Sequence, residues 1–262
     1  MFNTLETLFS IRKPKKKQLN VFDIFNISDT LWQRGYEFVK EANLNETLLS
    51  FPATSDVNEI INKRKELSDL FDNFNKKEFR IKLKEIIFSE ENKSKEISGI
   101  HVDNSEECKK KYTRTLEFLI GYLCVKELKA LSTSIGVQIK DSPEGGDFNC
   151  ISNFQNSLFH FEIKSGHLKN IDVADIEHFI KRHDFLNPEA SIFFIDHQGN
   201  IDDYIKKILT SKLAKTKYLR RIVKIEDKNR ILYAIFPNIL IVNLYKNGNI
   251  LDNFKFAMRF LN

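Results

Sequence analysis

The stretch from Pro143 to Gly166, PEGGDFNCISNFQNSLFHFEIKSG, constrains the fold of this chain more than any other. It opens on Pro143-Glu144-Gly145-Gly146, which joins a fixed φ to residues able to take positive φ, as a sharp reversal requires. Two alternating runs follow. In the run from Leu158 to Lys164, Phe159, Phe161 and Ile163 point one way and His160, Glu162 and Lys164 the other. In the run that begins at Asp147, Phe148 and Cys150 share a face, with Asp147 and Asn149 opposite. An antiparallel hairpin centred near Phe154-Gln155 sets Asp147 across from Glu162, with Cβ atoms roughly 4.5–5.5 Å apart. Lys164 projects from the same face. Two carboxylates at that distance repel unless a cation lies between them. A divalent, oxygen-seeking metal meets that need. The plain alternative is a half-buried hairpin with a solvated charged face.

The elements on either side of the hairpin imply an α/β core. Asp103-Asn104-Ser105 followed by Glu106 and Glu107 predicts the start of a long helix reaching about Leu131. Its inward stripe runs through Thr113, Glu117, Ile120, Gly121, Cys124 and Leu128. Glu117 thus lies at the edge of an apolar face, where a lone carboxylate is costly unless paired. Gly121, one turn later, lets the helix approach a sheet closely. A short strand near Val137 to Lys140 comes next, then the hairpin. Asp172 caps a helix bearing Ile176, Phe179, Ile180, Phe185 and Leu186, and Pro188 ends it. Ser191 to Ile195 is apolar almost throughout and predicts a strand buried on both faces. Helix, strand, hairpin, helix, strand is best satisfied by a mixed sheet with a right-handed crossover. Ile231 to Phe236 and Ile239 to Leu244 predict further β-structure with a terminal helix.

Residues 1–102 carry helical patterning and no chemical motif, so they are expected to form a mostly helical extension to a core of residues 103–262. Ser28-Asp29 and Ser55-Asp56 start two of its helices, and 78–88 is assigned to a third. The extension is expected to pack on the core or to build a dimer interface. Arg12-Lys13-Pro14-Lys15-Lys16-Lys17 is a short basic arm. No apolar run is long enough to span a membrane. The N-terminus lacks the order of a secretory signal. Cys108, Cys124 and Cys150 are odd in number and too widely spaced for a zinc site, which suits a reducing cytoplasm.

Net charge is only +5, but it is unevenly spread. Lys206, Lys207, Lys212, Lys215, Lys217, Arg220, Arg221 and Lys224 fall within nineteen residues that contain no acid. Eight like charges repel unless they serve a polyanion, so nucleic-acid phosphate is the expected partner. Acidic protein or lipid surfaces remain alternatives.

Asp147, fourteen intervening residues, and then Glu162-Ile163-Lys164 resembles the PD-(D/E)xK nuclease superfamily. Here Gly146 precedes the Asp and the proline is displaced to Pro143, a Gly-Asp pairing also found in Holliday-junction resolvases and several restriction endonucleases. Glu-x-Lys also occurs at Glu91, Glu107, Glu127 and Glu226, but only Glu162 combines a strand with a turn-borne Asp upstream. The resemblance implies a restriction endonuclease-like core, with a central mixed β-sheet flanked by helices. It implies a Mg²⁺-dependent DNA endonuclease, most like a type II restriction enzyme, with Mn²⁺ able to substitute. Asp147 and Glu162 would hold the metal, joined by Glu117 from the preceding helix, and Lys164 would orient water or stabilise the transition state. His160 and Asn149 share the charged face, and His167 and His183 lie nearby in sequence. The substrate implied is double-stranded DNA, cut by a homodimer to leave 5′-phosphate and 3′-hydroxyl ends. The alternatives are a structure-selective, repair or phage-defence nuclease, or a non-catalytic nucleic-acid-binding module that keeps the fold.

Overall fold

The computed structural model describes residues 69, 71–97, 100–137, 139, 142, 144–155, 157–211, 222–235 and 238–261. The first two expected helices and Lys212, Lys215, Lys217, Arg220 and Arg221 lie outside them. The elements, in chain order, are α1 (Lys77–Ile87), β1 (Ser94–Ile97), β2 (Ile100–Asp103), α2 (Glu106–Lys126), β3 (Ser132–Val137), β4 (Phe148–Phe154), β5 (Ser157–Lys164), α3 (Val173–Leu186), β6 (Ala190–Ile195), α4 (Asp202–Thr210), β7 (Ile222–Asp227), β8 (Arg230–Ile235), β9 (Ile239–Asn243) and α5 (Ile250–Leu261).

Seven strands form one mixed sheet in the order β3-β4-β5-β6-β9-β8-β7. The pairs β5–β6 and β6–β9 are parallel and the others antiparallel. Side-chain alternation explains the layers on each side. Phe161, Ile163, Ile192, Phe194, Leu240 and Val242 pack with α1, α2 and α5 in one cluster. Phe193, Ile195, Ile239 and Ile241 point the other way, against α3 and α4. The protein is therefore α/β, a mixed sheet flanked by helices. β6 is buried along its whole length, as its apolar sequence predicts. Each fully buried Phe in it contributes about 1.5–3 kcal/mol relative to exposure.

α2 starts where expected: the Ser105 side chain accepts a hydrogen bond from the Cys108 amide. It ends at Lys126 rather than near Leu131, and Lys129 at φ 65° turns the chain back. The next strand occupies 132–137, upstream of its expected place at 137–140. Ser132-Thr133-Ser134 looks like loop by composition. On the sheet Thr133 is accommodated, its Oγ1 2.9 Å from Ser152 Oγ on the paired strand. Gly121 does allow close approach, since a Cβ there would lie 2.6 Å from the Ile135 side chain. Residues 71–87 are helical apart from Lys76, as expected, but β1 and β2 form a hairpin within a stretch expected to be helical. Ser98-Gly99, between Ile97 and Ile100, is the sequence signal the helical reading passed over. α1 joins the same core as the sheet through Leu83, Ile86 and Ile87.

Candidate active site at the end of β5

The hairpin forms, but with a register other than the expected one. Cys150 pairs with Phe161 and Phe154 with Ser157, so the chain reverses after Phe154, with Gln155 at φ 50°. Asp147 consequently does not face Glu162 across a ladder. Regular pairing stops at Cys150, and the Ile163 amide donates instead to Asn149 Oδ1 at 2.9 Å. Asn149 Nδ2 donates in turn to Glu117 Oε1 at 2.9 Å, so this side chain ties α2 to β5.

Glu162 is buried, and two cations hold it. Its Oε1 lies 3.2 Å from Lys164 Nζ, and its Oε2 accepts from Arg182 Nη1 at 3.0 Å. Lys164 Nζ also donates to Asp175 Oδ1 at 2.8 Å. Asp175 is fixed because its other oxygen accepts from the Asp172 amide at 2.8 Å, half of a capping box at the start of α3. Burial works to lower the Lys164 pKa, but Glu162 and Asp175 outweigh it and raise the value above its ordinary range. Arg182 reaches further, donating through Nη2 to the Gly145 carbonyl at 3.0 Å. Gly145 and Gly146 have φ of 58° and 67°, and a Cβ on Gly146 would lie 2.9 Å from Arg182 Nη2. Two consecutive left-handed glycines thus bring the turn down onto α3 and present Asp147 to solvent.

Asp147 and Glu117 line the same open cavity of about 500 Å³, whose other wall is α2. Burial, then the Glu162 carboxylate, push the Glu117 pKa up to about 8; Asp147 adds to this, and Arg114 and Lys164 oppose it. Glu117 is thus the group on which the other two predicted carboxylates and Lys164 all act. Among the described residues, no three His, Cys, Asp or Glu side chains are placed to hold a metal ion as they stand.

Sequence reasoning missed Arg182 and Asp175. Both sit on α3, and only the three-dimensional crossing of that helix over β5 places Arg182 at Glu162 and Asp175 at Lys164. A basic residue on a helix after Glu-x-Lys carries no signal of its own. Of the predicted basic residues, the three that are described, Lys206, Lys207 and Lys224, are not gathered here. β7 lies four strands from β5, roughly 19 Å at 4.8 Å per strand, and Lys224 on it is within 3.2 Å of Asp202. Lys206 pairs with Asp203 at 3.0 Å on α4, where Lys207 is exposed.

No protein-family model matches the chain, and no curated protein matches it. Among solved structures, the chain is similar to "Crystal structure of protein VC1899 from Vibrio cholerae" at 12% identity and a TM-score of 0.32, over 71% of this chain and 51% of that one. The chain therefore spans about half the length of that relative. Among the described residues, no helix is long and apolar enough to cross a membrane, and the three cysteines are buried.

The histidines separate by environment. His183 is buried, with Nδ1 2.8 Å from Ser191 Oγ, and His167 Nε2 lies 3.1 Å from the Phe88 carbonyl. His160 is fully buried between Phe148 and Phe179, and neither ring nitrogen has a hydrogen-bond partner among the described residues. Its Nε2 is 3.9 Å from Glu162 Oε2, outside hydrogen-bond reach. Burial, then Arg182 and His183, lower its pKa to about 3 from 6.5. The ring is neutral, so no ion pair forms with Glu162. As pH falls from 6.5 toward 3, the unfolded chain takes up a proton that the folded chain refuses, and stability falls. Between pH 6.5 and 5 this residue should account for a loss of about 2 kcal/mol. His160→Phe should recover most of that, measured as denaturation midpoints at pH 7 and pH 5. An unchanged loss in the variant would show that this ring is not the acid-labile group.

Proposed function

We propose that this protein is a Mg²⁺-dependent DNA endonuclease with a restriction endonuclease-like core, acting through Asp147, Glu162, Lys164 and Glu117. The observation that carries the reading is that Glu117 and Asp147 line one cavity open to solvent, with the Glu162 carboxylate and Lys164 close enough to act on Glu117. Carboxylate oxygens are the donors that Mg²⁺ prefers. A divalent ion would relieve the repulsion that raises Glu117, so the donor set fits the metal in kind. A bound ion supplies Lewis acidity toward the phosphate and a lowered pKa for water.

The chain's own residues do the rest. Asp147, Glu162 and Glu117 would hold the ion. Asn149 fixes the Glu117 carboxylate against the β5 backbone. Arg182 holds Glu162 to the Gly145 turn and so sets where Asp147 stands. Lys164, kept charged by Glu162 and Asp175, offsets negative charge gathering on the phosphate. Duplex DNA is the substrate on this reading. Cutting both strands takes two sites, so the working form is a homodimer, in a reducing cytoplasm. The basic stretch of 206–224 contributes to DNA binding on this reading.

Incubating the protein with plasmid, linear duplex, single strands and RNA, with and without Mg²⁺, tests this. Cleavage of duplex DNA in Mg²⁺, stopped by EDTA and restored by Mg²⁺ or Mn²⁺, is the expected result. Binding to DNA without cleavage in any metal would leave a non-catalytic binding module instead. Preference for junctions or flaps would move the reading to a structure-selective nuclease.

A further inference from the structure

Lys110 and Arg114 lie one turn apart on α2 and both line the cavity that ends at Glu117 and Asp147. Their neighbours on the helix are neutralised: Lys109 pairs with Glu106 at 2.6 Å and Lys111 with Glu107 at 2.9 Å. Lys110 and Arg114 are exposed and make no ion pair with any described residue. The cavity therefore has an acidic floor and a cationic wall leading away from it. Four residues of helix separate the two cations by about 6 Å along the axis. That is close to two nucleotides of one DNA strand, at roughly 3.4 Å of axial rise each.

We propose that this face of α2 is a phosphate track, in which Lys110 and Arg114 bind backbone phosphates of the DNA strand beside the bond that is cut. The proposal rests on reading the site as a nuclease, and it assigns substrate binding to residues outside the 206–224 stretch. The track lies on the same cavity as Asp147 and Glu117, whereas Lys224 is four strands from β5. A strand seated on Arg114 is carried within one helical turn of Glu117, so binding and cutting share one wall. Thr113, between the two cations, lines the same cavity. Its hydroxyl is 2.7 Å from Ser165 Oγ, which fixes this face of α2 against the segment after β5.

The test is equilibrium binding of a labelled duplex in Ca²⁺, across a range of KCl, for wild type, Lys110→Ala/Arg114→Ala and Lys111→Ala. Losing two phosphate contacts should flatten the slope of log affinity against log salt by about 1.8. Affinity near 100 mM salt should fall roughly tenfold or more. Lys111→Ala, whose ammonium is engaged by Glu107, should match wild type, and Lys110→Arg/Arg114→Lys should restore the slope. If wild type binds and cuts DNA while the double variant keeps the wild-type slope, the track is wrong and the nuclease reading stands. If wild type neither binds nor cuts, both fall.

Discussion

Lys164→Ala should lower single-turnover cleavage about 10²–10³-fold while leaving Mn²⁺ uptake intact. The ammonium sits 3.2 Å from Glu162 and 2.8 Å from Asp175, and Asp175 is itself locked into the first turn of α3. Its position is thus set before any substrate arrives, which is the condition for charge stabilisation without reorganisation. Removing it takes no oxygen donor away. It also removes a positive charge that competes with an ion for Glu162, so metal affinity should hold or rise. Calorimetric titration with Mn²⁺ beside single-turnover rates separates the two effects. A variant that cuts at the wild-type rate would remove Lys164 from the chemistry. A variant that loses both metal and rate would show that Lys164 organises the site rather than acting in it.

Asp196→Ala should destabilise the fold by about 3–5 kcal/mol, the cost of removing one partner from a buried charge network. Asp196 follows β6 and is fully buried with Arg80, 3.4 Å away, and Lys84, 3.3 Å away. The Tyr112 hydroxyl also donates to it. Burial opposes ionisation, but Lys84, Arg80 and the Tyr112 hydrogen bond outweigh it and hold the pKa below 3.8. Its stabilising share is accordingly full above pH 3.8 and is lost as pH falls through the depressed folded value. Arg80 also donates to the carbonyls of Phe74, Asn75 and Gly248, so the carboxylate anchors α1, and the chain entering α5, to the end of β6. Without the carboxylate, the Arg80 charge is left buried with carbonyl dipoles alone. Urea denaturation at pH 7 measures the effect. An unfolding free energy within about 0.5 kcal/mol of wild type would show that the network adds little to stability.

Much of the frame was legible because periodicity reports burial. Phe193 and Phe194 lie on opposite faces of β6, one against α3 and one against α5, which is why the strand has no polar side to read. The Ser105 cap, the Asp172 capping box and the close approach at Gly121 were each written in residue type. The hairpin register was not. Alternation fixes which face a side chain takes but is indifferent to a two-residue slip, and the difference lay in where the turn closes. Asp196 is far in sequence from Arg80 and Lys84, and each alone looks like a surface charge. Nothing local distinguishes a lysine that pairs with Asp202 from one free to meet phosphate, so the run at 206–224 could be read for charge but not for placement.

Plasmid cleavage by wild type and Glu162→Ala, purified side by side and assayed in Mg²⁺ and in EDTA, tests the proposed metal-dependent nuclease most directly. Wild type should convert supercoiled DNA to nicked and linear forms in Mg²⁺ alone, and Glu162→Ala should convert none. Equal cleavage by the variant, or a wild-type protein that leaves every nucleic acid intact in Mg²⁺, contradicts the account.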